Sequence, residues 1–194
     1  MKTLVVLAHP DLKGRSIANR IIVERVRPLP QVTIKNLHQE YPTFRFGVAA
    51  EQEALRGADS VIFQFPFYWY SVPGILKEWM DQVLTYGFAY GSTGDKLRGK
   101  DFLVSTTVGG PADAYCEGGY NNFTMDELLK PLRQMCNLTG MRYNRPIVSH
   151  GMIFIPGVYN TLEAVEERAR EHAERLYRHI AEEKTEVLAT RQAL

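Results

Sequence analysis

Cysteine is nearly absent from this sequence: the 194-residue chain has two, Cys116 and Cys136, in no metal-binding spacing. That argues against a disulfide framework or a zinc centre and predicts two reduced thiols in a cytosolic protein. His38, His150, His172 and His179 are scattered and take no assigned role; no metal site is expected. A charge excess of one sign is also missing. Lys and Arg number 23 against 22 Asp and Glu, a net charge of +1, which argues against a dedicated nucleic-acid binder. Long apolar runs are missing too. Nothing approaches the ~18 residues of a membrane span. The opening run, residues 3–8, is closed by His9-Pro10 before it reaches the length of a secretory signal's apolar region, so a cytoplasmic chain is expected. Without repeats, low-complexity tracts or an internal linker, residues 1–194 are expected to form one domain, closed by a long terminal helix.

What is present is an ordinary globular composition, 45% hydrophobic and 23% charged. "TLVVLAHP" (3–10) reads as a strand buried on both faces. Ser16 opens an amphipathic helix to about Arg27, with Ile17, Ile21, Ile22 and Val26 along its apolar stripe. "QVTIKNL" (31–37) alternates as a second strand. A short helix spans 48–57, closed by Gly57. "SVIFQF" (60–65) is a third strand, and Pro73 starts a helix to about Tyr86. A glycine-rich loop (87–100) leads to "FLVSTTV" (102–108), the fourth strand. After a loop over 109–123, a helix covers about 124–138 and "RPIVSHG" (145–151) makes a fifth strand. Residues 161–184 form a last helix, with Glu166–Arg170, Glu171–Arg175 and Glu174–Arg178 paired at i,i+4 on its wet face. Strands alternating with helices predict a doubly wound five-stranded parallel sheet in the order 2-1-3-4-5.

In such sheets ligands sit beyond the carboxyl ends of the strands, where the strand order reverses. Three loops lie there. The first, "AHPDLKGRSIAN", ends on a helix N-terminus that favours an anion; Ser16 serves it as a cap or as a phosphate donor, and His9 stands at the strand end. A plain capped helix with a turn histidine is the competing reading. The second, "PFYWYSVPG", gathers Phe67, Tyr68, Trp69 and Tyr70 beside Pro66. Rings here suit a planar cofactor, or else core packing or a dimer interface. The third, "TTVGGPADAY", has two glycines after a strand, which let a ligand approach backbone N–H groups, or simply make a turn. Together the loops outline a flavin site.

The segments "LAHP…S-x-x-N" (7–19), "AAEQEAL" (49–55), "FQFPFYWYSVPGILKEWMDQVL" (63–84), "GFAYG" (87–91), "L-x-GK" (97–100) and "TT-x-GG" (106–110) carry a resemblance over roughly residues 3 to 150. The chain resembles the flavodoxin-like NAD(P)H:quinone oxidoreductases, and within them the ancillary flavoproteins of glutathione-gated potassium-efflux antiporters. The resemblance implies a homodimer that binds FMN or FAD at the subunit interface; FMN is favoured, since no extra segment is evident to hold an adenosine. It implies that His9, Ser16, Ile17, Ala18 and Asn19 surround the phosphate and ribityl chain. Phe67, Tyr68, Trp69 and Tyr70 would lie against the isoalloxazine, and Thr106, Thr107, Val108, Gly109 and Gly110 near its pyrimidine end. Tyr115 matches a tyrosine that stabilises charge on the reduced ring. Two departures stand out. Asn121 replaces a histidine common in the family, and an amide cannot take up a proton as imidazole does. Val108 replaces a common glycine, and its Cβ is expected to crowd the ring.

The implied activity is two-electron, ping-pong reduction of a quinone by NAD(P)H. The implied alternative is a cytosolic regulatory subunit of a potassium-efflux antiporter, held at the inner membrane face through that partner. A one-electron carrier is disfavoured by the near-neutral charge, and a cofactor-free relic of the fold is a third possibility.

Overall fold

A computed structural model describes the backbone of residues 1–192 and the side chains of residues 1–181. Strands β1 (Thr3–Leu7), β2 (Val32–Asn36), β3 (Ser60–Pro66) and β4 (Asp101–Thr107) pair in parallel in the order β2-β1-β3-β4. The edge next to β4 differs from the expected single strand. It is shared by β5 (Arg142–Tyr143) and β6 (Ile147–Ser149), both parallel to β4, so the sheet has six strands. Pro146 explains the interruption: it brings no N–H to a ladder and holds Arg145 away from regular pairing. The predicted start at residue 145 was therefore too early, and the pairing at 142–143 was missed.

Helices α1 (Ala18–Val26) and α7 (Leu162–Gln192) cover one face of the sheet. Val5, Ile62 and Leu103 of three neighbouring strands pack there on Ile22, Val26, Ala173, Leu176 and Ile180. The helix α7 runs past the expected residue 184. Of its three predicted pairs, Glu166–Arg170 forms at 2.6 Å; Glu174 instead reaches Arg25 of α1 at 3.1 Å. Arg175 turns inward to the sheet edge, as described below.

The other face is covered by α3 (Val48–Gly57), α4 (Gly74–Val83), the short α5 (Met125–Leu128) and α6 (Lys130–Thr139). The helix expected over 124–138 is thus two. Thr124 and Glu127 form a reciprocal cap on α5, and Pro131 lies in the first turn of α6, where its missing N–H costs nothing. Phe63 sits edge-on to Trp79 and Phe102, with centroids 5.7 and 4.8 Å away. One carboxylate is buried on this side. Glu51, fully enclosed, accepts from Lys35 Nζ (2.6 Å), the Tyr41 hydroxyl (2.6 Å) and Trp79 Nε1 (2.9 Å). Three donors offset its desolvation and tie β2 to α3 and α4. A further helix, α2 (Leu37–Glu40), follows β2 directly and was not anticipated. No described helix is long and apolar enough to cross a membrane.

Candidate functional site

The parallel ladder aligns the carboxyl ends of β1, β3 and β4. Two backbone bonds extend the alignment into the loops: Ala8 N–H to Gln64 C=O (3.0 Å) and Phe67 N–H to Thr107 C=O (2.8 Å). All three candidate loops therefore leave the sheet side by side.

In the first loop, Asp11 is the organiser. Its carboxylate accepts from Gly14 N–H (2.8 Å) and its carbonyl from Arg15 and Ser16. His9 is buried, and its Nδ1 accepts from Asp11 N–H at 3.1 Å. Burial lowers its pKa, against the pull of Asp11, so the ring is neutral and its other nitrogen carries the proton. Ser16 lies just before α1, which begins at Ala18, and its Oγ accepts from Asn19 N–H (3.1 Å). The capping reading of Ser16 is the one its geometry displays. The N–H groups of Ile17 and Ala18 donate to nothing among the described residues. An anion meets two free donors and the positive end of a nine-residue helix there.

Asn19 joins this loop to the sheet. It donates to Thr107 Oγ1 (3.0 Å) and accepts from Gln64 Nε2 (2.8 Å), all three buried. The Gln64 Oε1 atom is buried and has no hydrogen-bond partner, a vacancy that normally calls for a donor from a bound molecule or water. Gln64 was not singled out in the sequence; a polar residue inside an apolar strand was the available signal.

The second loop divides its rings. Pro66 is the last residue of β3, where a missing N–H is tolerated. Phe67 points into the core. Tyr68, Trp69 and Tyr70 are outside, 43%, 92% and 45% exposed. A two-residue turn makes this possible: Ser71 N–H bonds Tyr68 C=O (3.0 Å), with Trp69 and Tyr70 at φ +47° and +61°. Both central residues of a type I′ turn need positive φ, a role suited to Asn-Gly and strained for two aromatic residues. Such strain is characteristic of functional loops.

The third loop holds one surprise. The Val108 side chain is fully buried in the core, its N–H donates to Ser149 C=O (2.8 Å) and its carbonyl accepts from Met152 N–H (2.9 Å). The Cβ expected to crowd a ring points away from the open edge. Thr106 Oγ1 is likewise spent on Phe65 C=O (2.9 Å). Gly109 and Gly110 are left, with N–H groups that donate to nothing among the described residues. A Cβ on Gly110 would meet the Tyr115 ring at 3.4 Å.

Tyr115 tilts on His150 with centroids 5.1 Å apart. Burial, with the neighbouring Tyr70 and Tyr159 phenols, raises its pKa, so it remains a protonated donor. Asn121 accepts from the Tyr70 hydroxyl at 3.0 Å, a bond between the second and third loops. The segment 149–160 was read only in part, its first three residues as the end of a strand over 145–151 and the rest not at all. Its backbone carries the glycine loop through Ser149, Gly151 and Met152, and Ile153 lies against Gly109. "MIFIPGVY" has no period to read; Pro156-Gly157 was its one turn signal. Behind it, His172 of α7 is pinned between Ser105 Oγ (Nε2, 2.7 Å) and Ser149 Oγ (Nδ1, 2.8 Å).

Known proteins share this architecture. A Bacillus subtilis protein named as the uncharacterized NAD(P)H oxidoreductase YrkL is 38% identical over 94% of this chain and 99% of its own length. The Pectobacterium atrosepticum glutathione-regulated potassium-efflux system ancillary protein KefG is 40% identical over 76% of this chain and 80% of its own. The structure of general stress protein 14 from Treponema denticola in complex with FMN superposes with a TM-score of 0.81 at 33% identity, covering 91% of this chain and 98% of that one. An NADPH-quinone reductase from P. pentosaceus gives 0.76 at 30% identity, covering 90% and 97%. With residues 1–180 matching the family and the predicted strand order in place, the chain belongs to the flavodoxin-like fold family, on the side that holds NAD(P)H oxidoreductases.

Proposed function

We propose that this chain is an FMN-dependent NAD(P)H:quinone oxidoreductase. The observation that carries the reading is the pair of unengaged backbone N–H sets, at Ile17–Ala18 and at Gly109–Gly110, on the sheet edge that also bears the exposed rings of Tyr68, Trp69 and Tyr70. One set suits a phosphate at a helix N-terminus, the other a flat ring that gains negative charge. When bound, FMN supplies two-electron ping-pong exchange, taking hydride from NAD(P)H and giving it to a quinone on the same face.

The residues divide the remaining work. Ile17 and Ala18 hold the phosphate, with Ser16 fixing the turn that presents them. Asn19 fixes the Thr107 hydroxyl, and the open acceptor on Gln64 would be available to a hydroxyl of the cofactor's sugar-like chain. His9, neutral, lines the approach without adding charge. The exposed rings of the second loop shield the isoalloxazine from water, and Phe67 anchors them from the core. Gly109 and Gly110 donate to its pyrimidine edge, while Thr106 and Val108 set that loop's course. Tyr115 offers a hydroxyl donor to the anionic ring. Asn121 holds Tyr70 and transfers no proton, so the reaction uses no essential general base. FMN is preferred to FAD because the Treponema denticola relative holds FMN. The 92% exposed Trp69 and the 90% exposed Tyr120 favour a second copy as the cover, making a homodimer with the site at its interface.

The test is an absorbance spectrum after incubation with FMN and desalting, followed by anaerobic NADPH or NADH and then menadione. Retained flavin that bleaches and recovers is the expected result. Absence of retained flavin overturns the site. Retained flavin that neither nucleotide bleaches supports the second reading, which the likeness to KefG favours: a cytoplasmic regulatory subunit that binds a potassium-efflux antiporter at the inner membrane face.

A further inference from the structure

The edge of the sheet carries a groove that the flavin reading leaves unused. Arg145 and Pro146 interrupt the edge strand, and between that break, the α5–α6 side and α7 lies a groove of about 810 Å3. Small-molecule sites are typically clefts of ~300–1,000 Å3. Its charge is unusual for a chain of net +1. Three guanidiniums, Arg133, Arg145 and Arg175, line it against one carboxylate, Asp126.

Two of these guanidiniums are not spent on the fold, and the third is spent only in part. Arg25, Arg56, Arg142 and Arg170 each hold a carboxylate. Arg133 donates its backbone N–H to Leu129 C=O, but neither its guanidinium nor that of Arg145 makes a hydrogen bond or ion pair among the described residues. Among the described residues Arg175 donates through its Nη2 alone, to Val148 C=O (3.1 Å) and Ser149 Oγ (2.5 Å), and its Nε and Nη1 engage none of them. Glu171 attracts the Arg175 charge and Arg178 repels it, so the local excess remains positive. Like charges gathered without partners repel one another. A guanidinium fork matches a phosphate two oxygens at a time. The groove also offers a flat wall: Tyr143, stacked at a tilt 6.1 Å from Phe102, with Ile147 beside it. Burial pushes the Tyr143 phenol up to about 12, so it remains a donor.

We propose that this groove binds a phosphorylated small molecule with an aromatic base, a nucleotide, whose phosphates lie among Arg133, Arg145 and Arg175 and whose base rests on Tyr143. Its size and concavity favour a small ligand over an acidic peptide. The groove adjoins the glycine loop, because the Ser149 that receives Arg175 also accepts the Val108 N–H.

Isothermal titration of the full chain tests this, with ADP, inorganic phosphate, adenosine and a poly-glutamate peptide as probes, each in the presence and absence of excess FMN. Saturable 1:1 binding of ADP with FMN present is expected, with weaker competition by phosphate and none by adenosine. The paired substitutions Arg133→Ala and Arg145→Ala are at exposed positions, so far-ultraviolet circular dichroism should match the parent while ADP affinity falls at least tenfold. Absence of saturable ADP binding overturns the proposal, as does ADP binding that the paired substitutions leave unchanged, which would place the nucleotide at the α1 loop. Phosphate binding as tightly as ADP, or peptide binding without ADP binding, overturns the nucleotide assignment.

Discussion

Lowering the pH from 7 to 5 should cost the fold about 2 kcal/mol through His172 alone, from its lowered pKa and the linkage between protonation and folding. The ring is fully buried between two serine hydroxyls. Burial, reinforced by the nearby Arg175 charge, lowers its pKa from the ordinary 6.5 to about 3. Below pH 6.5 the unfolded imidazole takes a proton that the folded one refuses, so the unfolded state is favoured as pH falls. The contribution is complete above about 6.5 and disappears on approach to 3. At ~1.36 kcal/mol per unit, the window sums to nearly 5 kcal/mol, a large share of the ~5–15 kcal/mol that holds a domain together. The assay is urea unfolding at half-unit pH steps, comparing the parent with His172→Gln, whose amide does not titrate. His9, His38 and His150 also have pKa values lowered by burial and contribute equally to both proteins, so the difference isolates His172. A difference that stays flat between pH 7 and 5 would refute the reasoning, as would a native-state imidazole resonance titrating near 6.5 that is lost in His172→Gln.

Asn19→Ala should cost about 2–3 kcal/mol in urea, because it leaves the Gln64 amide with no partner at either end; adding Gln64→Leu should recover part of that, and strict additivity would argue against the coupling. Replacing Trp69-Tyr70 by Asn-Gly relieves two left-handed aromatic residues, so the chain should gain about 1 kcal/mol while losing FMN retention after desalting; undiminished retention would remove the aromatic wall from the proposal. Glu51→Ala strands the Trp79 N–H and the Tyr41 hydroxyl and should cost about 3 kcal/mol, a loss under 1 kcal/mol being the contrary result.

Much of this architecture was open to inspection in the residue order. The runs 3–8, 60–65 and 102–108 are too apolar and too β-branched to be anything but buried strands, and each is followed by a stripe of helical spacing. Alternation of that kind permits few topologies, and it placed three loops at one edge. The misses were local conflicts: Pro146 inside a supposed strand, and Pro131 inside a supposed helix. Both prolines were visible, but where a chain resumes after a break depends on which neighbour it then pairs with.

The site separates the two levels more sharply. Which residue types stand near the edge was a matter of sequence, because a parallel strand delivers the residues after it to its carboxyl end. Which way each side chain turns was not. Phe67 and Val108 go inward while Trp69 stays outside, since a two-residue turn and the bonds from Ser149 and Met152 fix those directions. Asn19 meets Thr107 and Tyr70 meets Asn121 across 88 and 51 residues of chain, separations that no local pattern encodes. His172, isolated in the sequence, becomes the pin between α7 and the strands beneath the glycine loop. Periodicity tells a chain which face to bury; only packing decides what that face will touch.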